Sequence, residues 1–148
     1  MAMGSITRAT QTMLKSRPIV AFVATTDPKR SKAFYAKTLG LRLVSEDDFA
    51  LAFDAGGTRL RVAIVKTLQP PGYTILGWIV PDLAKAVRDL VKRGVIFRRY
   101  EGMPQDDLGI WSSPSGARVA WFADPEDNTL SLTELARPTS TKVKRKRS

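Results

Sequence analysis

The chain has 148 residues and a formal net charge of +10; 43% of its residues are hydrophobic and 26% are charged. This length predicts one domain, or one domain built from two half-sized modules. Cysteine and histidine are both absent, which excludes disulfides and thiolate metal sites and removes the commonest general base at neutral pH. No apolar run has the length of a signal peptide or a membrane-spanning helix, so we expect a cytoplasmic protein without membrane association.

The positive charge is concentrated at the C-terminal end. Residues 136–148 carry six basic and no acidic residues, so the other 135 residues have a net charge of only +4. This stretch also lacks apolar periodicity, which predicts a disordered basic tail. Such a tail either aids solubility or attracts nucleic acid weakly and without sequence preference.

The folded part is predicted to begin after an N-terminal extension, residues 1–17, that contains a short amphipathic helix near 10–15. A first module, 18–68, opens with an apolar strand that runs into Asp27, a natural helix N-cap, and Pro28 at the first helical position. The helix ends before Gly40, and turn signals then separate short strands at 41–45, 50–53 and 59–65. The order is β-α-β-β-β.

The second module, 73–135, repeats this pattern after a proline-rich linker. A strand at 74–80 meets Asp82, an amphipathic helix follows, and Gly94 suits the left-handed residue beyond its end. A strand at 95–100 and a mobile polar loop at 101–108 are expected next. Further strands lie at 109–112 or 118–122, an ambiguity that the sequence leaves open, and at 130–134. We therefore predict an α+β fold made of two tandem β-α-β-β-β modules.

Three motifs in this order resemble a known superfamily. They are Asp-x-x-x-Ser-x-x-Phe-Tyr-x-x-x-Leu-Gly from Asp27 to Gly40, the Asp-Leu helix that ends in Arg-Gly-Val, and Phe-x-Asp-Pro-x-x-Asn from Phe122 to Asn128. The chain resembles the glyoxalase / bleomycin-resistance / extradiol-dioxygenase superfamily, also called the vicinal oxygen chelate proteins. The resemblance implies sheets that curl into a ligand-binding cup with the helices outside, and a homodimer.

Metal-dependent members of that superfamily hold one divalent ion in the cup through His and Glu side chains. The resemblance places those positions on Val20, Ile75 and Ser131 and on or near Arg61, and none of these residues suits a divalent cation. We therefore predict no metal and no cofactor. This disfavours metal-dependent glyoxalase or dioxygenase chemistry, and whether the protein is an enzyme stays open.

Strand alternation from the same positions predicts the lining of the cup. The candidate ligand-binding residues are Val20, Phe22, Arg61, Ile75, Ile79, Trp111 and Ser131, with Arg61 selecting an anionic group and Trp111 stacking as a lid. Alternatively, the apolar members fill a core and Arg61 faces solvent. Gly77, in the middle of a strand, indicates that something approaches the backbone closely there.

The leading functional hypothesis is a metal-free protein that sequesters or senses an aromatic or anionic small molecule. One alternative is a lyase, isomerase or dioxygenase-type enzyme of the same superfamily that uses Arg61, Tyr100 or a carboxylate. Another is a module that binds nucleic acid through its basic tail.

Overall fold

Two four-stranded mixed sheets form the framework of this computed structural model, which describes residues 13–138. The predicted basic tail lies outside the described residues from position 139 onwards, as does the first half of the predicted N-terminal helix. A 3-10 turn at Leu14–Ser16 precedes the first sheet. No helix within residues 13–138 is long and apolar enough to cross a membrane.

The first sheet has the strand order β1-β4-β3-β2 and follows the predicted β-α-β-β-β order. Its strands β1 and β4 are parallel, and the other pairs are antiparallel. The helix after β1 consists of α1 and a π-helical turn. The elements of this module are β1 (Val20–Thr25), α1 (Pro28–Ala33), the π turn (Phe34–Thr38), β2 (Arg42–Glu46), β3 (Ala50–Ala55) and β4 (Thr58–Ile64).

The second sheet repeats the topology with the order β5-β8-β7-β6 and a parallel β5–β8 pair. Its elements are β5 (Thr74–Ile79), α2 (Leu83–Lys92), β6 (Trp111–Ser112), β7 (Arg118–Ala123) and β8 (Thr129–Glu134). The two sheets remain separate and do not close into a barrel. The predicted α+β fold with duplicated modules is thereby confirmed.

The second module departs from the predicted pattern where its edge strand should lie. The continuous strand predicted at 95–100 is wrong: Phe97 makes only a single bridge to Phe122. Further along the same edge of β7, Trp111 pairs with Val119. The edge strand is therefore split, and the chain leaves the sheet between these two pairings. Both alternatives for the third strand prove to be strands, β6 and β7.

The helix ends follow the local sequence signals. The Asp27 carboxylate accepts the Arg30 N–H at 3.1 Å, and Asp82 accepts the Lys85 N–H at 3.1 Å. Gly40 has a φ of 78° and Gly94 a φ of 94°, the left-handed conformation expected just beyond a helix. These caps fix the points at which the chain turns back to each sheet.

The hydrophobic core lies between the helices and one face of each sheet. On β4, Leu60 and Val62 are buried, and on β8 Leu130 and Leu132 are buried. The amphipathic helix α2 buries Leu83 and Val87 against the second sheet. Along each strand, the side chains that alternate with these buried residues lie on the other side of the sheet, which we call the open face.

A polar cluster, buried except for the half-buried Glu126, joins the two modules, and we call it the module junction: Thr25, Ser31, Tyr35, Asp124, Glu126 and Asn128. The Tyr35 hydroxyl, fully buried in the π turn, donates to Asp124 at 2.6 Å. Burial, with the adjacent Asp124 carboxylate, raises the pKa of Tyr35 far above its ordinary value. The junction therefore fixes the helix of one module against the turn of the other.

Candidate functional site

The open face of the first sheet carries exposed apolar side chains where the cup lining was predicted. Val20 is 48% exposed and Phe22 60% exposed, whereas Val23 on the same strand is buried. Phe22 pairs with Arg61 on the neighbouring strand β4. Three of the predicted residues, Val20, Phe22 and Arg61, are thus brought together as one patch that combines hydrocarbon surface with a guanidinium group.

The charge of Arg61 acts on Asp47 in the β2–β3 turn. Backbone N–H groups of Phe49 and Ala50 donate to Asp47, and these bonds, with a smaller contribution from the Arg61 charge, hold the pKa of Asp47 below its ordinary value. Among residues 13–138, Arg61 makes no salt bridge. Its guanidinium donors therefore remain suited to an anionic ligand.

In the second sheet, a close approach between two strands explains the glycine at position 77. Gly77 pairs with Ser131, and a Cβ atom added at Gly77 would lie 2.5 Å from the Ser131 Oγ. Ser131 is itself only 8% exposed. The group that approaches Gly77 in this structure is thus a side chain of the neighbouring strand.

The remaining predicted residues of β5 are not all on one face. A bulge between Thr74 and Leu76 interrupts the alternation of the strand. Ile75 packs against the buried core, whereas Ile79 is 68% exposed. Ile79 also borders a cavity on the helix side of the sheet, because β5 is an edge strand. The structure therefore separates Ile75 from the exposed patch around Phe22.

An aromatic cluster lies on the open face of the second sheet and consists of Tyr100, Trp111 and Trp121. The Trp111 and Trp121 ring centroids are 6.2 Å apart, and Tyr100 meets Trp121 edge to face at 5.5 Å. Trp121, which was not among the predicted binding residues, pairs with the predicted Ser131 across β7 and β8, whereas the predicted Trp111 pairs with Val119 on the other side of β7. The sequence contains a signal for Trp121, because this residue alternates with Ala120 and Phe122. Both neighbours are buried, so the Trp121 side chain lies on the open face of β7.

The loop that splits the edge strand holds Tyr100 against Trp121. The Gln105 side chain donates to the carbonyl oxygens of Arg98 at 3.0 Å and Gly109 at 2.8 Å, and it accepts the Tyr100 N–H at 2.7 Å. Asp106 accepts the N–H of Ile110, a buried residue, at 2.9 Å. The loop that was expected to be mobile is thus tied to the sheet by its own polar side chains.

A cavity of about 440 Å³ adjoins the aromatic cluster, within the size range of small-molecule sites. Its wall contains the ion pair between Arg98 and Asp127, and Arg98 also donates to Thr129 at 3.0 Å. The lining residues are Pro70, Pro71, Gly72, Tyr73, Thr74, Arg98, Tyr100, Met103, Trp121, Asp127 and Thr129. Aromatic faces and prolines suit a flat apolar molecule.

The profile of the Glyoxalase/Bleomycin resistance protein/Dioxygenase superfamily matches residues 17–132. This range takes in both modules and the module junction. The chain belongs to this superfamily. No curated protein sequence matches the chain.

Solved structures of the superfamily share this fold. One from Sphaerobacter thermophilus DSM 20745 is 22% identical with a TM-score of 0.65 and covers 83% of this chain and 100% of its own. A glyoxalase family protein from Bacillus anthracis is 15% identical, with a TM-score of 0.64 and coverages of 80% and 94%. TnmS3, an antibiotic-binding protein from Streptomyces sp. CB03234, is 22% identical, with a TM-score of 0.62 and coverages of 84% and 99%. At these identities the likeness shows the fold alone.

The positions that the resemblance assigns to the metal ligands carry side chains that do not suit a divalent ion. Those positions carry two hydrocarbon side chains, Val20 and Ile75, a cation, Arg61, and a hydroxyl, Ser131. Within residues 13–138, no group of three or more His, Cys, Asp or Glu side chains is placed to hold a metal ion. Mg²⁺ and Ca²⁺ require several oxygen ligands, and Zn²⁺ requires His, Cys or carboxylate ligands; this set of side chains provides neither.

Proposed function

We propose that this superfamily member is a metal-free small-molecule-binding protein that sequesters or senses an aromatic, neutral or anionic ligand on its open face. The observation that carries the proposal is the exposure of Phe22 beside Arg61, where metal ligands would otherwise be expected. The antibiotic-binding activity of the structural neighbour TnmS3 supports the same class of function.

Each part of the open face would contribute a different interaction. Val20 and Phe22 supply apolar area, whose burial contributes about 25 cal/mol per Å². Arg61 supplies charge-assisted hydrogen bonds to an anionic group. The aromatic cluster, with Trp121 at its centre, supplies stacking surface next to the cavity of about 440 Å³. Together these features favour a ligand that is flat, largely apolar and not positively charged.

We further propose that the protein forms a homodimer in the cytoplasm. Val20, Phe22 and Ile79 leave apolar surface exposed in a single chain, and β2 and β6 are sheet edges. Exposed apolar patches and unpaired edges are commonly covered by association. A second copy would shield part of the open face and narrow its opening to the size of a ligand.

The binding proposal is tested by a thermal-shift screen of drugs and metabolites, followed by tryptophan-fluorescence titration of the hits. For an anionic hit, Arg61→Ala should weaken binding by about 1.5–3 kcal/mol, the range for a hydrogen bond to a charged group, and leave an uncharged analogue unchanged. Phe22→Ala should weaken both. Arg88→Ala, on the exposed side of α2, is the charge-matched control and should change neither affinity.

Affinities that survive both Arg61→Ala and Phe22→Ala would place the hit elsewhere and contradict the proposal. Metal content is tested separately by elemental analysis of tag-free protein. We expect no stoichiometric Zn, Ni, Mn or Fe, because the superfamily ligand positions carry Val20, Arg61, Ile75 and Ser131. About one such ion per chain would overturn the metal-free part of the proposal and leave the binding part to the titrations.

A further inference from the structure

A second cavity, of about 390 Å³, lies on the helix side of the second sheet, between α2 and the segment that follows the π turn. Its walls come from both modules and are mainly apolar. Prominent lining residues are Leu39, Leu41, Trp78, Ala86, Leu90 and Leu132. Of the residues predicted for ligand binding from sequence, only Ile79 borders this cavity. It is therefore a site separate from the open face.

Small residues create this space. On α2, Ala86 faces the cavity where a larger side chain would reach the sheet, and on the opposite side the hairpin tip at Gly56 contributes no side chain. Trp78, on the floor, is half-buried and packs against the core with part of its surface in the cavity. The indole offers a flat apolar surface to an occupant.

The rim carries one cationic group that is available to a ligand. Arg93, at the end of α2, donates to the Thr38 carbonyl at 3.0 Å and is otherwise exposed. A guanidinium has several further N–H donors. The nearby Asp89 carboxylate is already paired with Lys85 at 2.9 Å. Asp89 itself lines the cavity, and the charges of Lys92 and Arg93 act on it as well. With three cations around this one carboxylate, the opening carries a net positive charge.

We propose that this inter-module cavity binds an amphipathic organic anion, with its apolar body against Trp78 and its carboxylate or sulfonate near Arg93. This inference does not depend on ligand binding at the open face. Both modules line the cavity, so an occupant would contact Leu41 of the first module and Leu90 of the second simultaneously.

The test uses two fluorescent probes of similar shape, 8-anilinonaphthalene-1-sulfonate and the uncharged N-phenyl-1-naphthylamine, titrated into full-length ¹⁵N-labelled protein. Saturable shifts of the Ala86 and Leu90 amides should report the cavity, while the Phe22 and Arg61 amides report the open face. Arg93→Gln should weaken the sulfonate probe about tenfold at the cavity amides and leave the neutral probe within about twofold. Arg93→Lys should retain most of the affinity for the sulfonate.

A second variant, Ala86→Leu, fills the cavity and should remove the Ala86-region shifts for both probes while the open-face shifts persist. Its amide spectrum checks that the fold is retained, and the Arg93 variants decide the question if it is not. Shifts confined to Phe22 and Arg61, or an equal effect of Arg93→Gln on both probes, would overturn the proposal. If shifts appear at Ala86 and Leu90 but not at Phe22 and Arg61, the result counts against the proposed function and leaves this inference intact.

Discussion

The close approach at Gly77 gives a quantitative test of how the second sheet is packed. An alanine there would place its Cβ 2.5 Å from the Ser131 Oγ and 3.2 Å from the Ser131 carbonyl oxygen. Both distances are shorter than ordinary van der Waals contact, so Gly77→Ala forces the strands apart or displaces the serine. Overpacking of this kind lowers the free energy of unfolding by about 1–3 kcal/mol. Alanine also has a lower conformational entropy than glycine in the unfolded chain, which raises the free energy of unfolding by about 0.5–1 kcal/mol. The difference between the two spans about 0–2.5 kcal/mol, and we expect a net loss near its middle, about 1–1.5 kcal/mol.

Urea unfolding followed by tryptophan fluorescence measures this loss, and a double-mutant cycle assigns its cause. Ser131→Ala removes the nearest atom, so Gly77→Ala should cost about 1 kcal/mol less in that background. The 3.2 Å contact with the backbone oxygen of residue 131 remains, so rescue should be partial. Gly72→Ala is the control, because nothing lies within 4 Å of a Cβ added there. Equal costs of Gly77→Ala in both backgrounds would refute the reasoning.

Two further predictions concern the module junction and the assembly. Although partial burial acts in the opposite direction, hydrogen bonds from Thr25, Thr26 and Asp27 hold the pKa of Glu126 below its ordinary value. Stability from this group is therefore present above its unfolded pKa of about 4.3 and is lost as the pH falls through the lower folded value. Glu126→Gln should lower stability at neutral pH and flatten the acid limb of a urea-unfolding series, whereas parallel limbs would contradict this. Light scattering at micromolar concentration should give the mass of a dimer, against which a monomer mass would count directly.

Local signals in the sequence predict the elements whose ends are set by neighbouring residues. Asp27 and Asp82 cap the helices because a short carboxylate reaches the N–H three residues further on. Gly40 and Gly94 lie beyond the helices because only glycine adopts a positive φ without steric cost. Such interactions span a few residues, so their residue types are sufficient to locate them.

The split edge strand and the bulge in β5 were not predictable in the same way. Phe97 pairs with Phe122 and Trp111 with Val119, so the interruption is defined by partners on another strand. The apolar pattern at 95–100 matches a continuous strand equally well. Likewise, the bulge next to Ile75 depends on its register with β8. A periodicity reading assumes regular alternation and therefore placed Ile75 with Gly77 and Ile79.

In the candidate site, too, some features follow from neighbouring residues and others depend on residues far apart in the sequence. Alternation predicts that Val20 and Phe22 share a face, and both are exposed in the structure. The grouping of Tyr100 with Trp111 and Trp121 requires the fold of the intervening loop, which Gln105 holds in place. A side-chain amide that satisfies three backbone groups has no distinctive sequence pattern.

The two cavities differ in how strongly they depend on the module junction. The N–H groups of Thr26 and Asp27, at the start of the first helix, are satisfied by Glu126 of the other module at 2.8 and 3.1 Å. In the second module, the equivalent carboxylate is its own Glu134, which accepts the Leu83 N–H at 2.8 Å. The first helix thus depends on the second module for the hydrogen bonds that satisfy its N-terminal N–H groups. The second helix obtains the corresponding bond from its own module.

The cavity of about 440 Å³ is built only from the linker and the second module, whereas the cavity of about 390 Å³ also needs Leu39 and Leu41 of the first. A perturbation that loosens the Glu126 contacts should therefore act on the inter-module cavity before it reaches the aromatic cluster. The same contacts position β1, which carries Val20 and Phe22, because Thr25 at its end donates to Glu126 at 2.9 Å. We therefore expect loosening of the junction to affect ligand binding at the apolar patch of the first sheet more than binding beside Trp121, where the cavity wall meets the junction turn only at Asp127 and the following strand.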